Sequence, residues 1–120
     1  PLLFVGSVRW VKETEYRYII SNSQDDYVIS IAAQRLAYLG DGETAFPILK
    51  NDILDEKAKS GRIGAMRALI SIGDEKSKKL LIKMEDDPEP MVRKKAKNYI
   101  EQIKLDSIKQ KTINIEEDEK

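Results

Sequence analysis

Ala32-Ala33-Gln34-Arg35-Leu36-Ala37-Tyr38-Leu39-Gly40-Asp41 and Ala65-Met66-Arg67-Ala68-Leu69-Ile70-Ser71-Ile72-Gly73-Asp74 are two copies of one pattern. Ala, Leu, an aliphatic residue, Gly and Asp coincide at an offset of 33. A fainter third copy, Val92-Arg93-Lys94-Lys95-Ala96-Lys97-Asn98-Tyr99-Ile100-Glu101-Gln102-Ile103, follows the second at an offset of 31. The two missing residues fall in the turn before it, where changes of length cost little. Self-similarity at such a period marks stacked supersecondary units, none of which buries its apolar face alone.

Each copy reads as a helix, a tight stop and a second helix. The first helices place Val28, Ala32, Leu36 and Leu39, then Ala65, Ala68, Leu69 and Ile72, then Val92, Ala96, Tyr99 and Ile103 at steps of three and four, one face of a helix. Gly40 and Gly73 follow the last periodic residue, where glycine takes the left-handed C-cap conformation without a Cβ clash. Asp41 and Asp74 then offer carboxylates to the free N–H groups of the next helix. The second helices carry Ala45, Phe46, Ile48, Leu49 and Ile53, then Leu80, Leu81 and Met84. Ser23 is the expected cap of the first full repeat, and Asp87-Pro88 the expected start of the third.

Residues 1–22 therefore read as part of a preceding repeat, with a second helix over 8–20, although Tyr16-Arg17-Tyr18-Ile19-Ile20 also suits a strand. Residues 23–103 are the repeats, and 104–120 read as a frayed helix end and flexible acidic tail ending Glu116-Glu117-Asp118-Glu119-Lys120. The expected fold is all-α, an α-solenoid of about three stacked antiparallel helix pairs.

Composition narrows the function. Charged residues make up 35% of the 120, yet 21 basic residues balance 21 acidic ones. A nucleic-acid binder usually carries a basic excess, because its affinity comes from neutralising phosphates. There is no Cys and no His, which removes thiolate chemistry, sulfur-ligated zinc and the commonest general base and metal ligand. No apolar run reaches the length of a membrane span, and Pro1-Leu2-Leu3-Phe4-Val5 lacks the basic start of a signal peptide, so a cytoplasmic location is favoured. The Pro at position 1 reads as a processed end or the edge of a piece of a longer protein.

Ankyrin repeats need a Thr-Pro-Leu-His signature, and tetratricopeptide repeats place Leu-Gly inside a helix rather than at its end. The arrangement instead resembles the short HEAT repeats of the phycobilisome-lyase type: an Asp-containing turn, Val-Arg, Ala, Leu and a closing Leu-Gly-Asp. The matching residues are Arg62, Ala65, Leu69 and Ile72-Gly73-Asp74, then Asp86-Asp87, Val92-Arg93, Ala96 and Ile100. The first repeat matches through Asp25-Asp26, Ala32, Leu36 and Leu39-Gly40-Asp41, with Ile29 where Arg is expected. The resemblance implies a scaffold or protein-interaction module with a protein partner, no cofactor and no catalytic residues. Nucleic-acid binding is the alternative, since HEAT-like folds include DNA glycosylases. HEAT-repeat di-iron hydroxylases use His-Glu ligands, which a chain without His cannot supply.

Other constellations have structural readings. Arg62 and Arg93 each follow an acid by seven residues, Asp55 and Asp86, which predicts an ion pair stapling the inter-repeat turn. Asp25-Asp26 and Asp86-Asp87 sit at predicted helix starts, where the helix dipole favours acids. Gly61 and Gly64 lack the Lys-Ser/Thr of a phosphate loop and read as close packing. The run Lys76, Lys78, Lys79, Lys83, Arg93, Lys94, Lys95, Lys97 is interleaved with acids and reads as a solvated face. Trp10, Tyr16 and Tyr18 read as core of the first pair. A docking site is expected at Lys50 and Lys83, one period apart and on the exposed side because their apolar neighbours Leu49 and Ile82 should face the core, with Arg17 a further period back.

Overall fold

The computed structural model describes the backbone of residues 2–56 and 59–119 and the side chains of 12–56 and 61–119. Its described residues form six α-helices and no strand: α1 Leu2–Asn22, α2 Asp26–Leu39, α3 Gly42–Leu54, α4 Lys59–Ile72, α5 Glu75–Lys83 and α6 Pro90–Asp118, with a 3-10 turn at Met84–Asp86. The strand alternative at Tyr16–Ile20 is thereby settled as helix. The side chain of Trp10 lies outside the described residues. Tyr16 is half-buried and Tyr18 is exposed, so Tyr18 is not the core residue expected of it.

Two glycines set the repeat. Gly40 and Gly73 have φ of 103° and 65°, the left-handed values expected of them. At the first, Gly40 N–H donates to Ala37 O (3.2 Å) and Asp41 N–H to Leu36 O (2.9 Å), which closes the last turn of α2 in the Schellman pattern. Asp41 then accepts from Thr44 N (3.2 Å) and Asp74 from Ser77 N (2.8 Å), so each aspartate caps the following helix.

Two other starts differ from expectation. Asp25, not Ser23, caps α2: its Oδ1 accepts from Tyr27 N (3.0 Å) and Val28 N (3.4 Å), while Ser23 Oγ accepts from Asp25 N (3.1 Å). Two cap residues stand in tandem, and the carboxylate takes the helix because it reaches two orphan N–H groups. α6 begins at Pro90 rather than Pro88, since Asp87 closes the 3-10 turn and its carboxylate accepts from Glu89 N (2.9 Å).

The chain forms two compact units, Pro1–Leu80 and Leu81–Lys120. In the first, α2 packs against α1, α3 and α4, and α3 packs against α4. Connections of two to four residues make successive helices antiparallel neighbours. The core consists of Ala32, Ala33, Leu36 and Ala37 on α2, Ala45, Leu49 and Ile53 on α3, and Ala65, Met66, Ala68 and Leu69 on α4. Many of these are alanines, which let the helix axes approach closely. At the start of α5, the Lys76 ammonium lies 4.8 Å from the centre of the Phe46 ring on α3.

In the second unit the buried residues include Leu81, Met84, Val92 and Ala96, and α6 packs against the 3-10 turn. Residues 104–118 are helical, where a frayed end and tail were expected. α2 and α4 are 14 residues long and stop at glycine, whereas α6 is 29. No glycine follows Gly73, so no residue on α6 takes the left-handed stop cheaply. Gln102–Asp106 (3.0 Å) and Gln110–Asn114 (3.2 Å) hydrogen bonds one turn apart support the extension, although its side chains are exposed. The first helix of the third repeat thus runs on as one continuous element.

Candidate interaction cleft

The Asp25 cap fixes where α2 starts, and so where its polar side points. Asp26, Ser30 and Gln34 recur at intervals of four along α2, beside the alanine face that packs inward. Asp52 and Asp55 lie at the C-terminal end of α3, one turn apart, and Gly61 and Gly64 in the first half of α4. These three elements enclose a cleft of about 400 Å³, completed by Tyr27 and Ile31. An adjoining hollow of about 350 Å³ shares Asp26, Ser30, Asp52 and Asp55 and adds Ile29, Ile48 and Asn51.

Gly64 explains the approach of α4 to α2. A Cβ there would stand 2.8 Å from Gln34 Nε2, so the Gln34 amide lies over bare backbone. This is the close packing expected of that glycine. Tyr27 stands on the cleft wall with 74% of its surface exposed. Asp52 Oδ2 is buried and has no hydrogen-bond partner. Burial pushes the Asp52 carboxyl above its ordinary value, the like charges of Asp55 and Asp26 add to this, and a hydrogen bond with Ser30 opposes it.

The residues expected at a docking row stand in different settings. Lys50 is exposed on α3, and Lys83 is exposed at the end of α5, in the other unit. Arg17 is engaged: its Nε donates to Asp41 Oδ2 at 2.8 Å, and its Nη2 lies 3.5 Å from Glu13 Oε2. The assumed equivalence fails as well. Buried Ala45 and Leu49 on α3 correspond to buried Ser77 and Leu81 on α5, an offset of 32. Ile82, expected in the core, is 47% exposed and matches Lys50, while Lys83 matches Asn51. Although both helices follow an equivalent aspartate cap, α5 buries a face one residue, about 100°, around its axis from that of α3.

The two repeat arginines act on backbone. Arg62 is 1% exposed, and its Nε donates to Ile53 O (2.8 Å) in the last turn of α3. Arg93 Nη1 donates to Asp87 O and Pro88 O, both at 2.8 Å. Both arginines thus hold the turn before their helix by donating to its backbone carbonyl oxygens. Lys78 of the basic run pairs with Glu75 at 3.6 Å.

Helices α2 and α4 that stop at Gly-Asp 33 residues apart, and arginines at the starts of α4 and α6 that hold the turn before them, are the geometry of one repeat type. The family model for HEAT repeats matches residues 16–101. The chain belongs to the HEAT-repeat family. The match does not separate the short phycobilisome-lyase-type HEAT repeats from others. No curated protein and no solved structure matches the chain. HEAT repeats are commonly interaction or scaffold modules and generally non-catalytic. Among the described residues, no helix is long and apolar enough to cross a membrane, and no group of three or more acids stands close enough to hold a metal ion.

The capping role of Asp25-Asp26 hides the cleft in the sequence, since a carboxylate at a helix start satisfies a local rule by itself. The available signal was the Asp26-Ser30-Gln34 stripe, polar at helical spacing next to a face of alanines.

Proposed function

We propose that this HEAT-repeat chain is a non-catalytic protein-interaction module whose cleft between α2, α3 and α4 receives part of a protein partner. The observation that carries this reading is the cleft of about 400 Å³ with the exposed Tyr27 on its wall. Exposed tyrosines are frequent anchors at interfaces, because the ring offers large contact area at low entropic cost. The carboxylates of the cleft would repel phosphates, so nucleic acid is the less supported partner. The competing reading is an acidic partner held by the exposed Lys50 or Lys83.

The test is affinity capture with quantitative mass spectrometry, comparing the wild type, Tyr27→Ala with Asp26→Asn, and Lys50→Glu with Lys83→Glu. The first pair of substitutions should release the partner while leaving the melting temperature unchanged, and the second should not. Retention by the Tyr27/Asp26 variant, or a shift only of duplex DNA or RNA in a salt-dependent gel assay, would overturn the reading.

A further inference from the structure

We infer that the cleft takes an arginine side chain from an extended basic segment of the partner, with the guanidinium facing Asp26 and Asp52 and its plane against Tyr27. This rests on the cleft being the docking site.

Charge comes first. Asp26, Asp52 and Asp55 line the cleft, and the described lining residues include no cation. The second observation is independent of that count. Asp52 Oδ2 is removed from water and accepts no hydrogen bond. Ser30 engages the carboxylate, and the second oxygen is left without a donor, a cost that a donor entering the cleft would relieve. A metal ion is the wrong occupant, because no three described acids converge as ligands. An organic cation reaches separate carboxylates from one side chain.

Arginine fits better than lysine. Its planar fork carries five N–H donors and serves two acceptors at once, whereas an ammonium is a strongly hydrated point charge that must lose its water to enter. The open face of Tyr27 adds cation–π and stacking contact, which arginine uses more often. The Ser30 hydroxyl and the Gln34 amide on the same wall are further polar groups for the segment's backbone. The cleft volume suits a side chain and a few residues of extended chain, not a helix or a duplex.

The test is a 15N HSQC titration of the full chain with three blocked pentapeptides, Ac-Gly-Gly-X-Gly-Gly-NH2, with X as Arg, Lys or Glu. The Arg peptide should give saturable shifts at Tyr27, Ser30, Gln34, Asp52 and Gly64, and should bind at least about threefold tighter than the Lys peptide; the Glu peptide should leave these amides in place. Asp52→Asn should weaken the Arg peptide by about tenfold, and Tyr27→Ala, at an exposed position that leaves the fold intact, by about threefold or more. No saturable shift at these amides, equal affinity for Arg and Lys, or binding indifferent to both substitutions would each overturn the inference. If the peptides fail while partner capture still depends on Tyr27 and Asp26, the arginine assignment falls and the docking site stands. If capture is also indifferent, both fall.

Discussion

Replacing Arg62 with Met tests the load carried by one buried cation at the junction of two repeats. The side chain is 1% exposed and donates to the Ile53 carbonyl at 2.8 Å. That carbonyl lies in the last turn of α3, beyond the reach of any intrahelical N–H. Methionine keeps much of the aliphatic length and removes the donor. A hydrogen bond from a charged donor contributes about 1.5–3 kcal/mol, and the acceptor left behind adds about 1–3 kcal/mol if water cannot reach it. Relief of a desolvated guanidinium offsets part of this sum. The net expected loss is about 2–3 kcal/mol, a large share of the roughly 5–15 kcal/mol that holds a domain together. Urea denaturation followed by far-UV circular dichroism should show the midpoint falling by roughly 1–2 M with an unchanged slope. Arg62→Lys keeps the charge but not the Nε donor, and should recover less than half of the loss. A loss under about 0.5 kcal/mol, or a lysine variant as stable as the wild type, would refute the staple as a source of stability.

The glycines divide by what a Cβ would meet. Gly73→Val should cost roughly 1 kcal/mol or more in thermal denaturation, because φ is 65° there and a β-branched residue tolerates that conformation poorly. Gly42→Ala should destabilise by about 1–3 kcal/mol, since its Cβ would lie 2.8 Å from Ile72 Cγ2, whereas Gly64→Ala should be near neutral, because the flexible end of Gln34 can turn aside and helix propensity improves. In acid, Asp41 should matter in one direction. Burial alone would raise its pKa, but hydrogen bonds from Arg17 and Thr44 together with the Arg17 charge outweigh it and hold the carboxyl below its ordinary value. The folded chain then binds this proton less readily than the unfolded one, so the contribution is complete above the ordinary carboxylate value and is lost as pH falls through the folded value. The stability gap between wild type and Asp41→Asn should therefore be constant near neutral pH, begin to close as pH approaches the ordinary carboxylate value of about 4, and go on closing as pH falls through the lower folded value. Asp52 has the opposite sign: its raised pKa makes stability decline as pH climbs from the ordinary carboxylate value through the folded one, and Asp52→Asn should remove that decline. Thr112→Pro should lower the helical signal at 222 nm without lowering the melting temperature, because residues 104–119 are exposed; a fall in both would show that the extension carries packing.

What the sequence made legible was local. The Gly40-Asp41 and Gly73-Asp74 stops could be read because a left-handed residue followed by a capping carboxylate is decided within six residues of chain. The tandem at Ser23 and Asp25 was harder for the same reason, since either side chain satisfies the local rule and only the reach to two N–H groups separates them. The extension of α6 was hidden because periodic apolar spacing ends near Ile103, and a solvated helix needs no such spacing to persist when nothing stops it.

The 33-residue period, the three-and-four spacing and the two glycine stops determined an all-helical HEAT-repeat chain without its structure, because those features act between residues close in sequence. Tertiary structure decided the rest. The ion pair between Arg17 and Asp41 joins residues 24 positions apart. The face that α5 buries is set by its neighbours rather than by its cap, which moved Ile82 outward and dissolved the Lys50–Lys83 equivalence. Asp26, Asp52 and Gly64 share a cleft only because α2, α3 and α4 pack together, and no local rule of spacing or propensity specifies where side chains from three helices converge.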